Sequence, residues 1–157
     1  MTSSADLIVA IERAGAEFAG FIESLSDEQF HRQPAPEEWS AAEITGHMSE
    51  APLTFANHAQ RVAVEPGAAI GRPPDDPGRL SAVERLAGRG PKDGAQLVRD
   101  GFRDACVILR GLSEDGWQTK GKSPRMGDVT MLEFIEDVVL KHVQGHLRQA
   151  KDAAGVG

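Results

Sequence analysis

No tyrosine occurs in these 157 residues, and six Phe with two Trp bring the aromatic share to only 5%. Sandwiches of β-strands draw on aromatic and β-branched residues, so this scarcity points instead to helices built on Ala, Leu and Ile. A single cysteine, Cys106, excludes an intrachain disulfide framework and suits a reducing, cytoplasmic setting. Long apolar runs are also missing. The longest stretch free of Asp, Glu, Lys and Arg is Ala51–Gln60, far short of the roughly 20 residues a membrane helix needs. Met1–Asp6 carries neither a basic nor an apolar region, so no signal peptide is read there. Basic excess is absent too: 17 Lys and Arg against 24 Asp and Glu give a net charge of −7, with no cationic stripe. Nucleic acid and membrane are therefore not expected as partners, and a small-molecule substrate is.

With 40% hydrophobic and 26% charged residues, the chain reads as one folded domain over residues 1–157. Apolar residues recur at helical spacing four times. The first run is Ile8, Ile11, Gly15, Phe18, Ile22 and Leu25. The second passes from Ile44 through Met48, Ala51, Phe55 and Ala59 to Val62. The third is Leu97, Gly101, Ala105, Ile108 and Leu112, and the fourth is Leu132, Ile135 and Val139, continued by His142 and His146. No stretch alternates strictly, so strands are not expected. Ser40-Ala-Ala-Glu43, Thr130-Met-Leu-Glu133, Ser81-Ala-Val-Glu84 and Ser26-Asp-Glu-Gln29 have the form of capping boxes and mark helix starts. Breaks fall at Pro34 and Pro36, at Glu65–Arg79 with four of the nine prolines, at Gly88–Gly94 and at Gly121–Asp128. Leu25–Phe30 echoes Leu112–Trp117, each ahead of a loop, a capping box and a His-bearing helix. The expectation is an all-α fold, an antiparallel four-helix bundle.

Three of the five histidines sit where chemistry would want them. His142 and His146 are spaced i, i+4, about 40° apart around the helix, and continue an inward stripe. His47 stands one turn after Ile44 and one before Ala51, so it also faces inward. Three neutral imidazoles meeting at one point would make a facial metal site with an open coordination position. Hydrogen-bonded core histidines would show the same spacing, and both readings stand at this point. His142-Val-Gln-Gly-His146 lacks the zincin glutamate, since Val143 stands in its place, and peptidase chemistry is disfavoured. His58, eleven residues beyond His47, lies roughly 16 Å along the same helix and is too far to join. Glu50 and Gln149, each one turn from a histidine, are candidates to orient ligands or handle a proton.

Trp39-Ser40, then Ile44, His47 and Glu50, resembles the second-helix signature of the DinB-like superfamily of four-helix bundles. Thr130-Met-Leu-Glu133 followed by His142-Val-Gln-Gly-His-Leu-Arg-Gln149 is similar to the fourth-helix signature, and Leu112–Trp117 matches the approach to the last hairpin. The resemblance spans about Leu7 to Ala150. It implies a divalent metal held by His47, His142 and His146, with zinc as the first expectation and nickel or iron also accommodated. It further implies kinship with transferases and isomerases that use mycothiol, bacillithiol or glutathione as a thiol cosubstrate, and frequent homodimers. Met131, Phe134 and Val138, lying beside the inner stripe, are the residues that would serve such a dimer.

Three functional readings follow from this sequence. One is a metal-dependent enzyme, a low-molecular-weight-thiol S-transferase or else a hydrolase. The others are a bundle that binds a small molecule or metal without turnover, and a structural bundle.

Overall fold

The structure, a computed structural model, describes residues 2–156. Caps decide where its helices begin. Ser3 caps α1 (Ser4–Glu23), and Ser26 and Ser40 make complete capping boxes at α2 (Asp27–His31) and α3 (Ala41–Met48). Thr130 accepts from the Glu133 amide and starts α8 (Met131–Ile135). Between them lie α4 (Ala51–Val64), α5 (Pro77–Val83), α6 (Pro91–Arg110) and α7 (Glu114–Gln118). A π-helical turn over Glu136–Lys141 joins α8 to α9 (His142–Ala154), which ends on Gly155 in the left-handed conformation.

Four rods enclose the core: α1, α3 with α4, α6, and the run from α8 to α9. Neighbouring side chains give their directions. Glu12 meets Arg110 and Glu23 meets Arg99, so α1 and α6 run antiparallel. Trp39 faces His146 and Phe55 faces Phe134, so α3–α4 and α8–α9 are antiparallel as well. A Cβ on Gly94 would meet Thr45, and one on Gly101 would meet Ser49, so α6 runs alongside α3–α4 in the same direction. Two adjacent rods can be parallel only if a long connection brings the chain back along the bundle. The proline-rich segment after α4 is that connection.

Several sequence expectations change in the folded chain. The second rod is broken at Ser49–Glu50, because Pro52 cannot continue a helix from α3 and instead takes the first turn of α4. Ser81 lies inside α5, whose cap is Asp76 accepting from the Arg79 amide. On α6 the expected Gly101 and Ala105 are buried, but Val98 and Leu109 take the places of the expected Leu97 and Ile108, which are only partly buried. A short antiparallel hairpin, β1 (Lys120–Ser123) with β2 (Gly127–Thr130), forms where no strand was expected. Its four-residue strands are too short to alternate visibly, and Gly127 supplies the positive φ that closes the turn. Of the three residues named for a dimer, Met131 and Phe134 are buried in the chain's own core, while Val138 is partly buried. No helix among the described residues is long and apolar enough to cross a membrane.

Candidate metal centre

Local structure explains how each histidine is presented. On α3, Gly46 precedes His47, and a Cβ there would stand 2.2 Å from the Ala82 carbonyl oxygen. Glycine therefore lets α5 press against α3 and leaves His47 3% exposed. On the fourth rod the π turn changes the phase of the helix just before His142. Phe134 and His142 are eight residues apart, which in an ideal α-helix would set them about 80° apart. Both nonetheless meet Phe55, with ring centroids 5.8 and 6.4 Å from it. Turns of this kind are frequent at functional sites.

Three Nε2 atoms converge. His142 Nε2 lies 2.9 Å from that of His146 and 3.3 Å from that of His47. One nitrogen from each ring lies within 4.8 Å of the other two. His146 Nδ1 donates to Gln149 Oε1 at 2.7 Å, which keeps that ring's proton on its outer nitrogen and turns its Nε2 lone pair toward the cluster. Tetrahedral coordination at about 2.05 Å would put nitrogens about 3.3 Å apart, close to the separations present. His47 Nδ1 is buried without a hydrogen-bond partner, so nothing outside fixes that ring's proton. The donor set fits a divalent metal.

Burial holds the rings neutral. It pulls His47 down to about 2, with repulsion from His142 and His146, then Arg79 and Arg72, acting the same way. Burial also brings His142 to about 4, helped by His146 and opposed by the Val138 hydrogen bond. His146 is lowered by burial against the opposing bond to Gln149. A neutral imidazole is the form that binds metal.

Around this cluster stands a wall that sequence reasoning did not find. The connection after α4 places Arg72 against Glu50, with Nη1–Oε1 at 2.5 Å and Nη2–Oε2 at 2.6 Å, while Thr54 donates to the same carboxylate at 2.7 Å. Glu50, expected to serve a histidine, is therefore engaged by a guanidinium and makes no hydrogen bond to any histidine among the described residues. Arg79 lies over Trp39 at 4.8 Å, and Trp39 in turn stacks on His146. Gln149, the other candidate, does contact His146. His58 stands outside the cluster and accepts from the Gly71 amide at 3.3 Å. His31 is exposed and donates to the Arg89 carbonyl at 2.7 Å. Neither arginine was legible, because nothing local ties residues 72 and 79 to helices that begin tens of residues earlier.

The sequence pattern of the DinB superfamily matches residues 10–150. The chain belongs to the DinB superfamily. Among solved structures, the DinB-like fold is shared with YfiT from Bacillus subtilis, a probable metal-dependent hydrolase with an unusual four-helix-bundle topology. That likeness has a TM-score of 0.75 at 14% identity and covers 100% of this chain and 92% of the other. A comparison with curated protein sequences finds no match.

Proposed function

We propose that this protein is a metal-dependent enzyme acting on a small molecule, with His47, His142 and His146 holding a divalent cation through Nε2. The observation that carries the reading is the convergence of three buried or half-buried imidazole Nε2 atoms, His142 lying 2.9 Å from His146 and 3.3 Å from His47, with Gln149 holding the His146 proton on the outside. Once bound, the metal would supply Lewis acidity and lower the pKa of a thiol or water that reaches its open position. The chain's own residues do the rest. Gln149 holds the His146 imidazole in the metal-binding tautomer, the role that outer partners of ligating histidines generally play. Trp39, stacked on His146, excludes water from one side of the cluster.

Between the two nucleophiles, the proposal favours a low-molecular-weight thiol attacking an electrophile. Attack by water profits from a carboxylate base, and Glu50 has both oxygens bound by Arg72. Likeness to a probable metal-dependent hydrolase supports hydrolysis as the second reading. The test begins with metal content after dialysis against zinc, nickel and iron(II). Wild type is expected to hold one equivalent, and the His47→Ala, His142→Ala and His146→Ala proteins much less while keeping their helical spectrum. Loaded enzyme is then incubated with mycothiol, bacillithiol or glutathione and an electrophile, and with activated esters alone. Conjugate formation above the His142→Ala background supports thiol transfer, and ester cleavage alone supports the hydrolase. Metal without either activity leaves a binding bundle, and full metal content in two of the three variants refutes the site.

A further inference from the structure

A cavity of about 410 Å³ opens beside the histidine cluster and reaches His142. Phe55 and Val138 give it an apolar wall, and Arg125, Asp137 and Lys141 stand around it. The charges are not equivalent. Arg125 is paired with Asp137, so these two cancel. Lys141 is exposed and has no ion-pair partner among the described residues, which leaves the lining with one uncompensated positive charge in a protein whose net charge is −7. Its position is set by the fold: Lys141 is the last residue of the π turn and immediately precedes His142. Lys141 and His142 line the same cavity, so a group held by Lys141 shares that space with a residue of the reactive cluster. Asp137, the carboxylate among the lining residues, is taken up by Arg125 and so does not serve the opposite charge.

We infer that this cavity takes a small molecule with a short apolar body and a carboxylate, the body lying on Phe55 and Val138 and the carboxylate on Lys141. The inference rests on the reading of the histidine cluster as the reactive centre, and it names the class of substrate that the centre would meet. Complementary charge at a cavity mouth selects among molecules of similar shape and draws the matching one in.

The experiment uses two probes of one shape, 3-phenylpropanoate and the neutral 3-phenylpropanamide, titrated into the full-length protein with and without zinc. Affinity is read from chemical-shift changes of Phe55 and Val138. In metal-free protein the carboxylate is expected to bind about fivefold more tightly than the amide, the effect of one exposed charge pair. Lys141→Gln should erase that preference and Lys141→Arg should keep it. Lys151→Gln, which removes a cation beside Phe21 instead, should leave it unchanged. Added salt at 0.5 M should reduce it through screening. Equal affinities in the wild type, failure of both probes to shift Phe55 and Val138, or a preference that survives Lys141→Gln would overturn the inference. A preference seen only with zinc would overturn it as well, since it would place the carboxylate on the metal alone. The two readings separate cleanly. Loss of the preference in Lys141→Gln supports the cavity even in a protein that takes up no zinc, and stoichiometric zinc without any carboxylate preference upholds the metal site alone.

Discussion

Replacing Arg72 by Met strips the counter-ion from a carboxylate that has little water to fall back on. The Arg72 side chain is 8% exposed and that of Glu50 17%. Their contact is bidentate, at 2.5 and 2.6 Å, and Asp76 adds a longer contact at 3.4 Å. Removing one partner of a buried pair costs about 3–5 kcal/mol, because the remaining charge stays buried and unpaired. The residual exposure of Glu50 puts the expected loss at the lower end, about 3 kcal/mol. For a domain of this size each kcal/mol moves the melting temperature by about 2–4 °C, so a drop of about 6–12 °C is expected. An exposed pair such as Arg103 with Asp100, 65% and 38% exposed, should give about 0–1 kcal/mol in the same assay. The double variant Glu50→Gln/Arg72→Met removes both charges and should recover much of the loss, so a double-mutant cycle in urea should be strongly non-additive. Because Arg72 anchors the connection after α4, limited proteolysis of the single variant should cut within residues 65–76 first. A loss under about 1 kcal/mol, or additive effects in the cycle, would refute the claim that this pair holds the wall of the site.

Acid should weaken the metal-free fold in a defined window. The site imidazoles are depressed by burial, His142 to about 4 and His47 to about 2, whereas in the unfolded chain they titrate near 6.5. The unfolded state therefore takes up protons first, and the stability these groups contribute is complete above 6.5 and declines as the pH falls toward the folded values. Urea titrations at pH 7.5, 6.0 and 5.0 check this, and stability that rises on acidification would contradict it. Gly46→Ala and Gly20→Ala should have opposite signs. The new Cβ at position 46 meets the Ala82 carbonyl at 2.2 Å, whereas the one at position 20 meets nothing within 4 Å. The first is expected to cost about 1–3 kcal/mol and the second to stabilise by up to about 1 kcal/mol, read from urea midpoints. Cys106 is buried and its thiol is pushed up to about 11, first by burial and then by Glu12. It should react with a thiol reagent such as Ellman's only as the protein unfolds, and rapid labelling of the native protein would show that its environment is misdescribed.

What the sequence determined by itself is local in origin. Ser26 and Ser40 with their reciprocal Gln29 and Glu43 mark helix starts because a capping box is complete within four residues. His142 and His146 share a face because an i, i+4 pair must do so on any helix, and the run from Ile8 to Ile22 reads as a buried stripe for the same reason. The echo of Leu25–Phe30 in Leu112–Trp117 corresponds to two short Ser-capped helices that bury Phe30 and Trp117. Tertiary structure decided the rest. On α6 the expected Gly101 and Ala105 are buried, Gly101 against Ser49, whereas Val98 and Leu109 replace Leu97 and Ile108, and no periodicity within α6 encodes which neighbour it meets. The π turn before His142 leaves no mark in an apolar pattern that is compatible with an unbroken helix. Most consequential is the connection after α4, which reads as a bare proline-rich loop along the chain. Only the parallel arrangement of α3–α4 and α6 makes it travel back along the bundle, and that path delivers Arg72 to Glu50 and Arg79 to Trp39. A charge pair formed across 22 residues depends on where two segments meet in space, which spacing along a chain does not specify.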